Sequence, residues 1–453
     1  MKKSNARRVG ALLVGFAILG VSACGSDDGA ATTSAPVTEA PSTTVAPASD
    51  GELEGMKGTT PKSADISPEW LAKVSAFWES EGNTKLADFN YAAEAYDAVV
   101  TIALAAEAAG TDGAAHADEI VNVTVGGTKC TTFTDCKAII KAGGDPDYDG
   151  ISGPLDFNGN GEPLKGSYAM LQFGADNRLD DSLTKLIEAQ SPDSAIVPLG
   201  KTTATRAGDG QLKIGSLLPE TGNLAFLGDP EYAGLEYAIS EVNAAGGVLG
   251  KDVLYSQGDS GDTSTDIAST SADRLISENV DAIIGAASSG VTLTVIDKIT
   301  AAGITMFSPA NTSPALSDYK DDNLYFRDAP PDGLQGAIVA NQIIEDGNAS
   351  VYIMNLDDAY GNGIGAVVKA VLEAAGVKVL GTKAYDPAAA SFDAEVGEVV
   401  TADPDAIVLI SFDEGSRILR TAVENGIGPK VKMWYGTDGN MGNALGENFD
   451  AGK

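Results

Sequence analysis

The stretch AIIGAASSGVTLTVIDKITAAGITMFSPANTSP, residues 282–314, reads as strand, Ser-rich turn, helix, strand and second Ser/Thr-rich turn. Loops that follow the strands of an open parallel sheet gather at its carboxyl edge, so both turns open on the same side. Ser288 and Ser289 stand where the first strand gives way to a helix. Their hydroxyls and the free amides of the helix start form a cradle for an anion, and Ser308, Thr312 and Ser313 supply the neighbouring edge. The arrangement suits a small carboxylate and contains no evident catalyst.

The same alternation extends outward on both sides. QLKIGSLLP (211–219), PEYAGLEYAISEVNAAGG (230–247), KDVLYSQGD and TDIASTSADRLISENV precede the stretch, and a second series runs from GLQGAIVANQIIEDG to VKMWYGTDG. Strands alternating with helices over short loops predict parallel sheets covered by helices. Two series of about 110 residues each predict two similar lobes rather than one large sheet. After GTDGNMGNALGENFDAGK no closing helix is expected. The region before 190 differs: a strand at GMKGTTP (55–61), a helix at PEWLAKVSAFWESEG, a buried Ala-rich helix at YAAEAYDAVVTIALAAEAAG (91–110), a hairpin punctuated by glycines, and a short amphipathic stretch, DSLTKLIEA.

The chain has 453 residues, enough for two or three domains with substantial cores. Its 43% apolar content is globular, and its 53 glycines suit many tight strand-to-helix turns. A formal charge of -34 excludes a basic face for nucleic acid and disfavours an anionic membrane surface. At the start, Lys2, Lys3, Arg7 and Arg8 precede the apolar run VGALLVGFAILGVSA, which is too short to span a bilayer and ends at Cys24. VSAC resembles a bacterial lipobox, which implies cleavage before Cys24 and a lipid on its thiol; the alternative is an ordinary signal peptide. Residues 25–50 form a Ser/Thr/Ala/Pro tether too poor in apolar residues to fold. Export to an oxidising compartment favours a short-loop disulfide between Cys130 and Cys136 over free thiols.

Three motif look-alikes carry less weight. GNGIGA (361–366) matches a dinucleotide fingerprint, but Asp357 to Tyr360 intervene between the strand and the first glycine. DPDYDGISGPLD (145–156) resembles a calcium loop that lacks the usual final Glu, and turn chemistry explains it without metal. A serine hydrolase would need a base, and the sole imidazole, His116, falls in a helix that reads as surface-like.

The motifs LPETGNLAFLG, GLEYAISEVNAAGGVLGKDV, AIIGAASSGVT, GITMFSPANTSPALS, LDDAYGNGIG and WYGTDG together resemble the first two thirds of a periplasmic binding protein of the leucine/isoleucine/valine type. The family's closing third is also recognisable, but it comes first, in GMKGTTP, FNYAAEAYDAVVTIALAAEAAG, ISGPLDFNGNGEP and SYAMLQF. The resemblance implies an α/β fold of two Rossmann-like lobes with parallel sheets joined by a hinge, in permuted order. A truncated tandem duplication is the rival explanation.

The expected organisation is a signal peptide at 1–23 and a lipidated Cys with its stalk at 24–52. Lobe 1 takes 62–165 plus 211–330, and lobe 2 takes 53–61, 166–190 and 331–449. Residues 191–210 form a linker joining the family's usual ends, and at about 3.3 Å per residue such a linker reaches roughly 60 Å.

Carried over position by position, the resemblance implies that Ser289 binds a ligand carboxylate and that Thr312 serves both carboxylate and ammonium. The Ala310 carbonyl would accept from the ammonium, and Asp438 would face it. Tyr360 and Tyr91 would line the far lobe and the side-chain pocket, with Phe226 or Leu227 and Phe412 near further aromatic positions. The implied function is an extracytoplasmic solute-binding protein, anchored by lipid alone to the outer face of the bacterial cell membrane. It would capture a small amino acid of the branched-chain type and deliver it to the permease of an ABC importer. No cofactor, metal or nucleic acid is expected. The alternatives are an amide, urea or aromatic-acid binder, a ligand-sensing module and, less favoured, a hydrolase.

Overall fold

The computed structural model describes residues 51–62, 66–190 and 200–452. The leader, Cys24, nearly all of the tether and residues 191–199 of the expected linker lie outside the described residues. The first block runs β1 (Lys57–Pro61), α1 (Pro68–Ser80), α2 (Ala92–Ala109), α3 (Ala117–Ile120), β2 (Thr128–Cys130), α4 (Phe133–Lys141), β3 (Pro146–Tyr148), β4 (Lys165–Gln172) and β5 (Lys185–Gln190). The second block opens with β6 (Lys213–Leu217), α5 (Gly228–Ala244), β7 (Leu254–Ser256), α6 (Ile267–Ser277), β8 (Ala282–Gly285), α7 (Ser289–Ala301), β9 (Thr305–Ser308) and β10 (Tyr325–Arg327). It continues through α8 (Asp332–Glu345), β11 (Ser350–Leu356), α9 (Ala359–Ala374), β12 (Lys378–Tyr385), α10 (Asp393–Ala402), β13 (Ala406–Ile410), α11 (Gly415–Glu424), β14 (Met433–Gly436) and α12 (Asn443–Ala451).

Two large sheets organise these elements, one in each lobe, and β2 and β3 pair in a small parallel sheet of their own. The first has five strands, all parallel, in the order β10-β9-β8-β6-β7. The second has seven, β12-β11-β13-β14-β1-β4-β5, parallel as far as β1 and antiparallel thereafter. Strands buried on both faces need continuous apolar runs, and AIIG of β8 and AIVLI of β13 are buried at every position.

Both blocks of sequence contribute to each lobe. One core joins residues of α1, α2 and α4 to Leu212, Ile214, Tyr232 and Phe307. The other joins Leu53, Met56, Ala169, Leu171 and Phe173 to the strands and helices between Val339 and Leu445. α2 packs on α5 with almost no gap: a Cβ added at Gly234 would lie 1.9 Å from the Ala92 carbonyl oxygen. That contact requires glycine.

The chain passes between the lobes after β1, between Phe157 and β4, and between β10 and α8. The passages lie side by side. Arg327 N donates to Gly161 O at 3.0 Å, and Lys62 N to Ser167 O at 2.9 Å. Residues 200–210 run along the first lobe, where Arg206 pairs with Asp281 at 2.7 Å and Asp112 accepts from the amides of Asp209, Gly210 and Gln211.

One element differs from the sequence reading, and a second goes beyond it. The C-terminal stretch closes with a helix after all, α12, which buries Leu445 and Gly446. The short amphipathic stretch DSLTKLIEA, for which the sequence sets no element type, holds a 3-10 turn at Asp181–Leu183 and then the edge strand β5, which pairs antiparallel with β4. Cys130 and Cys136 form the expected disulfide, across a separation of six residues.

Candidate functional site

The carboxyl ends of β8 and β9 place the two Ser/Thr turns together. Ser288 caps α7 by accepting from Val291 N, and Ser289 Oγ accepts from Ser313 N at 3.2 Å, tying the first turn to the second. Ser308 and Asn311 fix the second turn from beneath. Ser308 Oγ donates to Ala286 O at 2.7 Å, and Asn311 Nδ2 donates to the carbonyls of Ala286 and Ala287. Arg327, 1% exposed, donates to the carbonyls of Asn311 and Ser313 and is itself paired with Glu162. The sequence signal for this brace was weak, since Glu162 sits in a Gly-rich turn of the other block.

Facing these turns, α9 and the loop after β14 present Tyr360 and Asp438. Tyr360 O–H donates to Asp438 Oδ1 at 2.8 Å, and the O–H of Tyr91, the residue that precedes α2, donates to Oδ2 at 2.6 Å. Gly439 N donates to the Tyr360 oxygen, and the Tyr360 ring stacks on Phe412 with centroids 5.4 Å apart. Tyr91 adopts a left-handed backbone, φ 60°, a conformation costly for a bulky residue and one that marks functional sites. Burial raises the Asp438 carboxyl above its ordinary range, opposed by the hydrogen bonds from the two tyrosines and Gln335.

A small cavity of about 10 Å³ lies between the two faces. Tyr91, Leu227, Ser289, Ala310, Tyr360, Phe412 and Asp438 line it, so seven of the nine expected ligand-binding residues meet there. Leu224, Ala287, Ser288 and Gly439 also line it; of these, Ser288 belonged to the cradle read from the sequence. Thr312 and Phe226 do not line it. Phe226 packs half-buried against the apolar cluster of Tyr91, Leu224, Leu227, Ala287, Ala310 and Ala329. Thr312 is buried with its hydroxyl unpartnered, and its carbonyl accepts from Asp332 N. Asp332 is itself fully buried with both carboxylate oxygens unpartnered, and nothing in its sequence context signalled it. The lobes touch across the cleft: besides Tyr91 and Asp438, Ser313 Oγ donates to Ala359 O at 2.7 Å and Asp413 N to Asn223 O at 3.2 Å.

The look-alike motifs resolve into packing. In GNGIGA, a Cβ at Gly361 would meet Leu356 O at 2.3 Å and one at Gly363 would meet Pro314 at 2.9 Å, so these glycines seat α9 on β11 and on the binding turn. In the calcium-like loop the Lys129 ammonium reaches Asp147 at 3.1 Å, Asp149 at 2.8 Å and Asp156 at 4.0 Å. Among the described residues no group of three or more His, Cys, Asp or Glu is arranged to hold a metal ion. His116 corrects the sequence reading: it is fully buried, and burial pushes its pKa down to about 4.

A sequence profile described as periplasmic binding protein matches residues 211–452. The chain belongs to this family. Leu/Ile/Val-binding protein homolog 7 of Brucella abortus is 29% identical over 235 residues, 50% of this chain and 58% of that protein. The chain therefore spans little more than half the length of the curated relative it matches. The chemotactic signal transduction system substrate-binding protein BasB of Halobacterium salinarum is 29% identical over 209 residues, 44% of this chain and 49% of that protein. Among solved structures, the branched-chain amino acid transporter substrate-binding protein LivJ of Streptococcus pneumoniae, in complex with isoleucine, is 27% identical with a TM-score of 0.47. The match covers 53% of this chain and 68% of that one. Membership of the family implies an extracytoplasmic location.

Proposed function

We propose that this protein captures a small α-amino acid with an apolar side chain between its lobes and delivers it to an ABC importer. The observation that carries the reading is the pairing, across one closed cavity, of the Ser289–Ser313 turn with the buried Asp438. The α7 start and Ser289 would hold the carboxylate, while the Ala310 carbonyl and Asp438 would hold the ammonium. Leu224, Leu227, Ala287 and Phe412 leave an apolar remainder for the side chain. Closure would be stabilised by contacts that the open form lacks. No chemical step belongs to this reading.

The test is calorimetry with leucine, isoleucine, valine, alanine, an amide and an aromatic acid. Asp438→Ala should weaken amino-acid binding by about tenfold to a hundredfold, the equivalent of ~1.5–3 kcal/mol for a charge-assisted hydrogen bond. Unchanged affinity would remove the ammonium role. The chemotaxis relative favours a second reading, in which the ligand-loaded protein addresses a receptor; co-purification with permease or with receptor separates the two.

The block order belongs to the same reading. β1 lies beside β14 in parallel register, Lys57 opposite Tyr435, and Asn177 accepts from Leu53 N while donating to Asp450. These contacts support residues 51–190 as the family's closing third placed first; the VSAC motif supports Cys24 as the site of a lipid anchor. Mass spectrometry of the membrane-extracted protein tests the anchor, and a rearranged chain with 211–452 ahead of 51–190 tests the order by ligand binding.

A further inference from the structure

Several buried carboxylates of this protein have a charged or hydrogen-bonding partner. Glu162 has Arg327, and Glu107 has Lys137 at 2.8 Å. Asp97 accepts from Tyr148 O–H, Ile151 N and both Ser152 donors. Asp328, like Asp332 and Glu231, has none. It is 4% exposed, neither of its oxygens has a hydrogen-bond partner, and it lines a second cavity of about 140 Å³.

That cavity sits among the passages between the lobes. Glu94, Ser152 and Asp328 wall it from the first lobe; Pro61, Ser167 and Glu188 wall it from the second. Glu231 stands behind Glu94, fully buried and with both oxygens unpartnered, brought there by the close approach of α5 to α2 at Gly234. Burial pushes Glu94 up to about 8, and burial, with repulsion from Glu94, raises Asp328 and Glu231 well above the ordinary carboxyl range. Lys62 and Lys165 reach the same cavity, but Lys62 is exposed and Lys165 is engaged with Asp156 at 3.5 Å, with its side chain 54% exposed. Solvent screens such ammonium groups, so among the described residues no buried cation faces Glu94 and Asp328.

We propose that this hinge cavity binds an organic cation, an alkylammonium or guanidinium group, held by Asp328 and Glu94. A bare divalent ion would need more oxygen ligands than are gathered here. A cation in this place touches both lobes, so its binding favours one hinge position over the other.

The test is calorimetry on the purified protein with n-butylammonium and methylguanidinium chloride, with KCl at matched ionic strength as reference. At least one organic cation should bind. Asp328→Asn should weaken that binding by about tenfold or more, and Glu94→Gln should do the same. Binding should persist in Asp438→Ala, which separates this cavity from the amino-acid site. Should Asp328→Asn fail to give a cooperative thermal transition, Glu94→Gln and the wild-type titration decide. Absence of wild-type binding at about 10 mM of either organic cation overturns the proposal, since a site that weak gains under ~3 kcal/mol. Equal displacement by potassium, or wild-type affinity in both variants, overturns it as well.

Discussion

Arg327 shows how much of a binding site can rest on a residue that touches no ligand. Its guanidinium, wholly buried, holds the carbonyls of the turn that carries Thr312 and is neutralised by Glu162 from the other block of sequence. Removing one partner of a buried pair leaves the other charge stranded, at a cost of about 3–5 kcal/mol. Arg327→Met should therefore lower unfolding stability by about that amount in urea titrations, and the freed turn should weaken amino-acid binding in calorimetry. Ser289, Ala310 and Asp438 were legible in the sequence because they stand in motifs with a fixed family spacing. Arg327, Glu162 and Asp332 were not, because their roles arise from contacts between segments far apart in the chain.

At the level of elements, alternation of apolar strand and amphipathic helix made both sheets readable, including the buried runs of β8 and β13. The failures lay where that signal is thin. NALGENFDA buries few residues, so α12 looked like an unstructured end, and β5 has a half-exposed pattern that reads equally as a short helix. His116 looked exposed because its neighbours are small and polar, yet the short helices around α3 fold it into the core. The contact between α2 and α5 offers a test at this scale. Gly234→Ala forces a methyl group against the Ala92 carbonyl and should destabilise by about 1–3 kcal/mol in chemical denaturation. Because Tyr91 precedes Ala92, the displacement should also loosen its bond to Asp438 and weaken ligand binding.

The whole molecule carries an unusual balance of buried acids. Desolvation raises Glu94 to about 8, Glu414 to about 7 and Asp281 to about 6, from ordinary values of 4.5, 4.5 and 3.8. Acids raised in the folded state contribute stability that is full below their unfolded pKa and is lost as pH climbs through the folded value. Hydrogen bonds from Ser350 to Asp405, Lys383 to Glu398 and Ser256 to Glu278 hold those carboxyls low, and their contribution is lost at the acid end. The ligand-free protein should accordingly melt highest between about pH 4 and 6 and lose stability steadily toward pH 8, as measured by differential scanning fluorimetry. A melting temperature that rises from pH 6 to 8 would contradict the burial of these groups. The interleaving of the two blocks gives a second expectation. Residues 51–190 and 200–452, produced as separate chains, should assemble on mixing and recover ligand binding in calorimetry, since β1 and α2 each pack against partners in the other block.

Lys129 gives the acidic loop at 145–156 its own tethered counter-charge. Because that ammonium is half open to solvent, its hold on the loop should weaken as ionic strength rises. Ser152 to Leu155 of the same loop wall the hinge cavity, so salt that loosens the loop should loosen that wall with it.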